Sequence, residues 1–167
     1  IDVLSLDIDS NDYWIMENFE SLDSIQIIIV EYNALFGSNE PLSVPYIEDF
    51  DRFKINVSGQ YFGASILAWI NLLETSGFSF IGTNRICNNA FFVRKDKESR
   101  FSKIQVPTQE HIEKYVDWRC RDARNSLGEL IYASGDKRFE LISNELVENT
   151  ITGEIKRLGE VSRGDRI

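Results

Sequence analysis

Carboxylate side chains follow two apolar runs of the sequence at the point where each run ends. Asp7 comes directly after the run Val3–Leu6, and Asp9 lies two residues further on. Glu31 comes directly after the run 25–30, which is rich in isoleucine. Carboxylate oxygens are hard ligands that suit Mg²⁺, Ca²⁺ or Mn²⁺ better than zinc. If the two runs are neighbouring strands, their ends lie about 5 Å apart. The oxygen ligands Asp7, Asp9 and Asp12 at one strand end, with Glu31 and Asn33 at the other, are then predicted to meet around one divalent ion.

The same acids have a second, structural interpretation. Asp9 and Asp12 stand where a following helix begins, and acidic side chains are common there because they accept backbone N–H bonds and meet the positive end of the helix dipole. Asp7 would then only order the turn before that helix. The residues by themselves leave both interpretations open.

The other reactive residues form no recognisable catalytic or cofactor motif. Cys87, Cys120 and the single His111 have no zinc-ligand spacing, and no nucleophile signature surrounds His111. The sequence contains neither GxGxxG nor GxxxxGK[ST]. We expect two reduced thiols in a cytoplasmic protein.

The charge balance limits the class of partner. The 167-residue chain has a formal net charge of -9 and a sequence pI near 4.7. Nucleic acid and anionic membranes attract clustered Lys and Arg, so neither is expected as a partner. The longest apolar run is far shorter than the roughly 20 residues that span a bilayer. We expect a small-molecule or protein partner.

The periodicity of the apolar residues predicts an α/β domain over residues 1–94. Strands 78–81 and 90–93 have little room for a helix between them and should pair as an antiparallel hairpin. The weakly periodic segment 33–58 is predicted to be an irregular excursion over the carboxyl edge of the sheet. The predicted elements are strands at 3–6, 25–32, 78–81 and 90–93, a short helix at 13–19 and a longer helix at 60–76 that Gly77 ends.

Residues 95–167 form a second predicted unit, a charged extension of mixed α+β character. A helix is expected near 108–119, and short strands at 130–133 and 150–158 are expected around a helix at 136–143.

Four blocks of the sequence, taken in order, resemble the C-terminal half of a class I S-adenosylmethionine-dependent methyltransferase domain. The blocks are DIDSNDYW at 7–14, IVEYN at 29–33, YFGAS at 61–65 and NAFFV at 89–93. They look most similar to sugar and secondary-metabolite O-methyltransferases, including the FkbM type. The resemblance implies a Rossmann-like sheet in which these strands are the fourth to the seventh, with the last inserted antiparallel.

The resemblance also implies roles for individual residues. In metal-dependent members of this superfamily, acids after the fourth and fifth strands hold a divalent ion that orients the substrate hydroxyls. By that resemblance Asp7, Asp9 and Glu31 hold a divalent ion such as Mg²⁺. Either this ion or a carboxylate such as the catalytic Asp7 would lower the barrier to deprotonation of the acceptor hydroxyl. Tyr32 and Asn33 would contact the acceptor substrate.

The family's glycine-rich cofactor loop and ribose-binding acid have no counterpart in this sequence. The resemblance therefore implies that S-adenosylmethionine binds only when a complementing N-terminal half is present. We also expect the chain by itself to be poorly stable or to form homo-oligomers, because its strands would lack neighbours.

The expected function is thus part of an O-methyltransferase that acts on a small hydroxylated acceptor, such as a sugar or a metabolite. The alternative is a catalytically inactive module that uses the same fold to bind protein or carbohydrate, because a fold does not fix a function.

Overall fold

The computed structural model describes residues 2–101 and 119–161, which form a mixed α/β structure with two sheets. The strands are β1 (Val3–Leu6), β2 (Ile27–Glu31), β3 (Leu42–Ser43), β4 (Phe78–Thr83), β5 (Asn89–Arg94), β6 (Leu146–Asn149) and β7 (Ile155–Arg157). The α-helices are α1 (Asp12–Glu17), α2 (Arg52–Ile55), α3 (Ile66–Thr75) and α4 (Gly135–Glu140). Short 3₁₀ helices occupy Ala34–Phe36, Lys95–Arg100 and Leu158–Glu160.

The larger sheet has the strand order β1-β2-β5-β4. β1 and β2 are parallel, whereas β5 lies between β2 and β4 and is antiparallel to both. The predicted hairpin is therefore confirmed, and the last strand of this sheet is inserted antiparallel as expected. The prediction of a mixed α/β architecture is also confirmed.

Strand β2 lies inside the sheet, between β1 and β5, and helices cover its β-branched side chains on one face. Ile28 and Val30 are fully buried on that face. Trp69 of α3 and Tyr13 of α1 belong to the same apolar cluster, and their rings lie 5.7 Å apart. The indole nitrogen of Trp69 donates to the Glu31 carbonyl, which fixes α3 against the end of β2.

The helix predicted from residue 60 begins only at Ile66, so this predicted boundary is wrong. The side-chain amide of Asn33 donates to the backbone carbonyls of Gln60 and Phe62. These two bonds hold the segment before Ile66 in a loop instead of a helix. The Ser65 hydroxyl then accepts from the amide of Ala68 and starts the helix. At the other end Gly77 follows the helix with φ of +89°, the left-handed conformation predicted for it.

The smaller sheet, with the order β3-β6-β7, joins the excursion 33–58 to the C-terminal part of the chain. Its apolar cluster likewise combines Leu42 and Tyr61 with Ile142 and Leu158. The boundary predicted after residue 94 stays a prediction, but a shared core crosses it.

Several predicted elements of the C-terminal part differ from the observed ones. Strand 130–133 is reduced to isolated bridges, strand 150–158 shortens to β7, and β6 was not predicted at all. The Asn149 side chain accepts from the amides of Ile151 and Thr152, and the resulting turn delays the strand. Helix 136–143 is observed as α4, whereas the helix predicted at 108–119 lies almost wholly outside the described residues.

None of the helices in the described ranges is both long enough and apolar enough to cross a bilayer.

The shared core makes a prediction about the stability of the excursion. Replacing the fully buried Ile142 by Ala should lower the free energy of unfolding by about 2–5 kcal/mol, since it leaves a cavity in the smaller core. Ile151, which is 69% exposed, is the matched control, and Ile151→Ala should change it by less than about 0.5 kcal/mol. Hydrogen exchange should also speed up in β3 of the Ile142→Ala variant. Unchanged exchange there would contradict a shared core.

Candidate functional site

The parallel pairing of β1 and β2 brings the predicted acidic residues together. Leu6 pairs with Val30, so the two strands end side by side. Asp7, Asp9 and Glu31 each offer one carboxylate oxygen, and these oxygens all lie within 4.8 Å of one another. Asp7 is exposed, while Asp9 and Glu31 are half-buried. We call these three residues the acidic cluster.

A tight turn presents Asp9 to the cluster. Asp9 has φ of +57°, which is a left-handed conformation uncommon for residues other than glycine. The Asp12 carboxylate accepts from the amides of Ile8 and Ser10, at 2.9 and 2.8 Å, and so holds the turn on both sides of Asp9.

The prediction that Asp12 caps the helix after β1 is wrong. Its carboxylate orders the turn that carries Asp9 instead of capping α1. Asn11 occupies the N-cap position but makes no side-chain capping bond. Its side chain instead pairs with the backbone of Ile47 in the excursion.

Arg52 contacts the acidic cluster, although the sequence pattern did not predict it. It is the first residue of α2, which begins there because the Asp51 carboxylate accepts from the amides of Phe53 and Lys54. One guanidinium nitrogen of Arg52 lies 2.5 Å from a carboxylate oxygen of Asp9. The guanidinium also lies 5.4 Å from the centre of the Phe62 ring. The excursion therefore places a positive charge against the acidic cluster.

Glu31 is the most perturbed acid of the cluster. Its burial raises its pKa to about 8, and the nearby negative charges of Asp7 and Asp9 act in the same direction. The Asn88 amide donates to Glu31 over 3.4 Å and opposes this rise. Burial also raises the pKa of Asp9, against the opposing charge of Arg52. At neutral pH, Glu31 thus largely retains its proton.

Asn88 faces Glu31 because a loop of asparagines holds it in place. The Asn84 side chain accepts from the amides of Asn88 and Asn89, and it donates to the Asn88 side chain over 2.6 Å. These bonds close the β4–β5 connection.

The predicted substrate-binding residues, Tyr32 and Asn33, lie in the interior. Tyr32 is 1% exposed and belongs to the larger apolar cluster. Asn33 is 2% exposed. Its side-chain oxygen accepts from the backbone amide of Leu35, and its side-chain nitrogen donates the two bonds described above. Their contact with an acceptor stays a prediction.

The donor set suits a hard divalent ion. The acidic cluster offers three carboxylates at the mutual distances given above, which is the kind of ligand that Mg²⁺ and Ca²⁺ take. Arg52 already neutralises part of the charge on Asp9. Asp7, being exposed, is the carboxylate most accessible to a bound molecule.

Comparison with known proteins identifies no relatives: no family model, curated protein or solved structure matches the chain.

The perturbed Glu31 predicts a pH dependence of stability. Its pKa rises from an ordinary value of 4.5 to about 8 on folding, so the folded state binds more protons than the unfolded state between these pH values. The contribution to stability is complete below pH 4.5 and is lost as the pH rises to about 8. Glu31→Gln should therefore reduce the fall in Tm between about pH 5 and about pH 8.

The matched control is Glu20→Gln, which removes one exposed carboxylate from the α1–β2 connection. It should keep the pH dependence of the original protein. An equally steep fall in Tm for Glu31→Gln would contradict the assignment to Glu31.

Proposed function

We propose that this chain forms the metal- and acceptor-binding half of a class I S-adenosylmethionine-dependent O-methyltransferase-like domain. The acceptor is a small hydroxylated molecule such as a sugar or a metabolite. The observation that supports the proposal is the strand order β1-β2-β5-β4, with β5 antiparallel between β2 and β4. This is the arrangement expected of the fourth to seventh strands of that fold, and the acidic cluster lies at the carboxyl ends of its first two strands.

The proposed roles follow from position and charge. Asp7, Asp9 and Glu31 hold a divalent ion such as Mg²⁺, which when bound makes an acceptor hydroxyl more acidic. Asp7 is exposed and accepts the proton of that hydroxyl as general base. When bound, S-adenosylmethionine would supply the methyl group to the acceptor oxygen, and S-adenosylhomocysteine would be the leaving group. Tyr32 and Asn33 support the acceptor side of the site from the interior.

A complementing N-terminal half supplies the cofactor contacts, since the sequence carries no glycine-rich loop or ribose-binding acid for them. The net charge of -9 argues against nucleic acid and membrane surfaces as partners. Cys87 and Cys120 are not joined in a disulfide, and this supports a cytoplasmic location.

A second candidate function is a catalytically inactive module that binds protein or carbohydrate. The Arg52–Asp9 ion pair favours it, because the guanidinium occupies one of the carboxylates that metal binding needs.

Calorimetric titration with Mg²⁺, Ca²⁺ and Mn²⁺ tests the metal site. Asp7→Asn and Glu31→Gln each remove a charged ligand while keeping the side-chain shape, and each should weaken binding by about tenfold or more. Arg52→Gln should strengthen it, since Asp9 then loses its competing cation.

Asp96→Asn, a change at an exposed carboxylate of the 3₁₀ helix Lys95–Arg100, is the control and should leave the affinity unchanged. If the original protein binds none of the three ions at about 1 mM, the metal role is wrong and Asp7 and Asp9 only order the turn.

The cofactor is tested by titrating S-adenosylmethionine into this chain alone and into the longest natural form of the protein. We expect no heat of binding for the chain alone and measurable binding for the longer form. Absence of both binding and methyl transfer to a library of hydroxylated acceptors in the longest form would favour the inactive module. Tight binding by this chain alone would contradict the resemblance to the methyltransferases.

A further inference from the structure

An exposed aromatic ring adjoins the acidic cluster on the side of Arg52. Phe53, the next residue of α2, is 42% exposed. Its ring lies against the backbone of Gly59, where a side chain would collide with it. Gly59 has φ of +67°, which glycine adopts readily. The ring is therefore held in place next to the ion pair of Arg52 with Asp9.

Two guanidinium groups lie close to this ring. The central guanidinium carbon of Arg52 lies 4.9 Å from the centre of the Phe53 ring, and that of Arg124 lies 5.5 Å from it. Arg124 belongs to the loop 120–133, and its amide donates to the Ser58 carbonyl of the excursion. Its guanidinium donates to the Gly128 carbonyl over 2.8 Å, which orients it. Two separate parts of the chain thus place positive charges around one ring.

The charge of Arg124 is not neutralised by a nearby acid. Arg52 is paired with Asp9, whereas none of the carboxylates in 2–101 and 119–161 forms an ion pair with Arg124. Arg124 is half-buried, so salt and water screen its charge less than they screen an exposed one. A guanidinium offers a planar set of donors that matches a carboxylate or a phosphate. In a chain with a net charge of -9, this is a position that attracts an anion.

We propose that the acceptor carries an anionic group, a carboxylate or a phosphate, which Arg124 binds beside Phe53 while the acceptor's hydroxyls face the acidic cluster. Sugar acids and sugar phosphates have both kinds of group. Arg52 contacts both Asp9 and the Phe53 ring, and its charge reduces the repulsion between the anionic group and the acidic cluster. The inference rests on the proposed function, because it assigns a substrate class to the same site.

The test is a titration of the full chain with D-glucuronate, with a glucose monophosphate and with glucose, which is the neutral control. Backbone amide signals, followed by NMR, report both the affinity and the position of binding. Arg124→Gln removes the positive charge, and Arg124→Lys keeps it. Arg121→Gln is the matched control, because it removes one positive charge from the same loop, where the side chain is 82% exposed.

At least one of the two anionic sugars should bind about tenfold or more tightly than glucose and should shift the amide signals of Phe53 and Arg124. Arg124→Gln should remove this preference, while Arg124→Lys and Arg121→Gln should keep it. Equal binding of anionic and neutral sugars, no binding of either anion at about 10 mM, or shifts that leave both residues unchanged would each overturn the proposal without the use of a variant. A preference that survives Arg124→Gln, or that Arg121→Gln also removes, would overturn it as well.

The same titration in the presence of Mg²⁺ tests the proposed function separately. Mg²⁺ should tighten the binding of the anionic sugars, and Asp7→Asn should remove only that effect. A preference for anionic sugars that depends on Arg124 but not on Mg²⁺ would contradict the metal role and would support the anion site.

Discussion

The parallel pairing of β1 with β2 is the constraint on which the site depends. It places the ends of both strands side by side, so that Asp7 and Asp9 meet Glu31. Three carboxylates at this separation repel one another, and partial burial makes their charges more costly. The protein offsets that cost in two ways, with the guanidinium of Arg52 on Asp9 and with a proton that Glu31 retains to about pH 8. A divalent ion would be a third way.

The turn and helix that follow β1 also contact the excursion, which supplies one strand of the smaller sheet. Three contacts attach the excursion to the turn and helix after β1: Arg52 with Asp9, Asn11 with the Ile47 backbone, and the Trp14 indole with the Val44 carbonyl at 2.7 Å. The excursion also supplies β3 to the sheet that β6 and β7 complete. Val44 belongs to the smaller core, so the bond from Trp14 links the helix after β1 to that core.

Local patterns in the sequence were sufficient for the strands of the larger sheet and for the β4–β5 hairpin, because apolar runs and alternation are short-range signals. The meeting of Asp7, Asp9 and Glu31 was predicted only on the condition that β1 and β2 are neighbours, which the structure satisfies. The start of α3 was not predictable in this way, since Asn33 fixes the carbonyls of Gln60 and Phe62 from 27 and 29 residues away. Arg52 was missed for the same reason, as it lies 43 residues from Asp9. β6 was also missed, because it is short and because β3, its partner in the excursion, has only two residues and so gives no periodic signal.

Asp7, Asp9 and Glu31 form one cluster of mutually repelling carboxylates at the ends of β1 and β2. The ¹³C chemical shift of the Glu31 side-chain carboxyl, followed by NMR as the pH is changed, tests this arrangement. A midpoint near pH 8, moving upward in Arg52→Gln as a positive charge is lost, is the expected result. A midpoint near the ordinary value of 4.5 would show that Glu31 is neither buried nor next to the other two acids, and would contradict the claim.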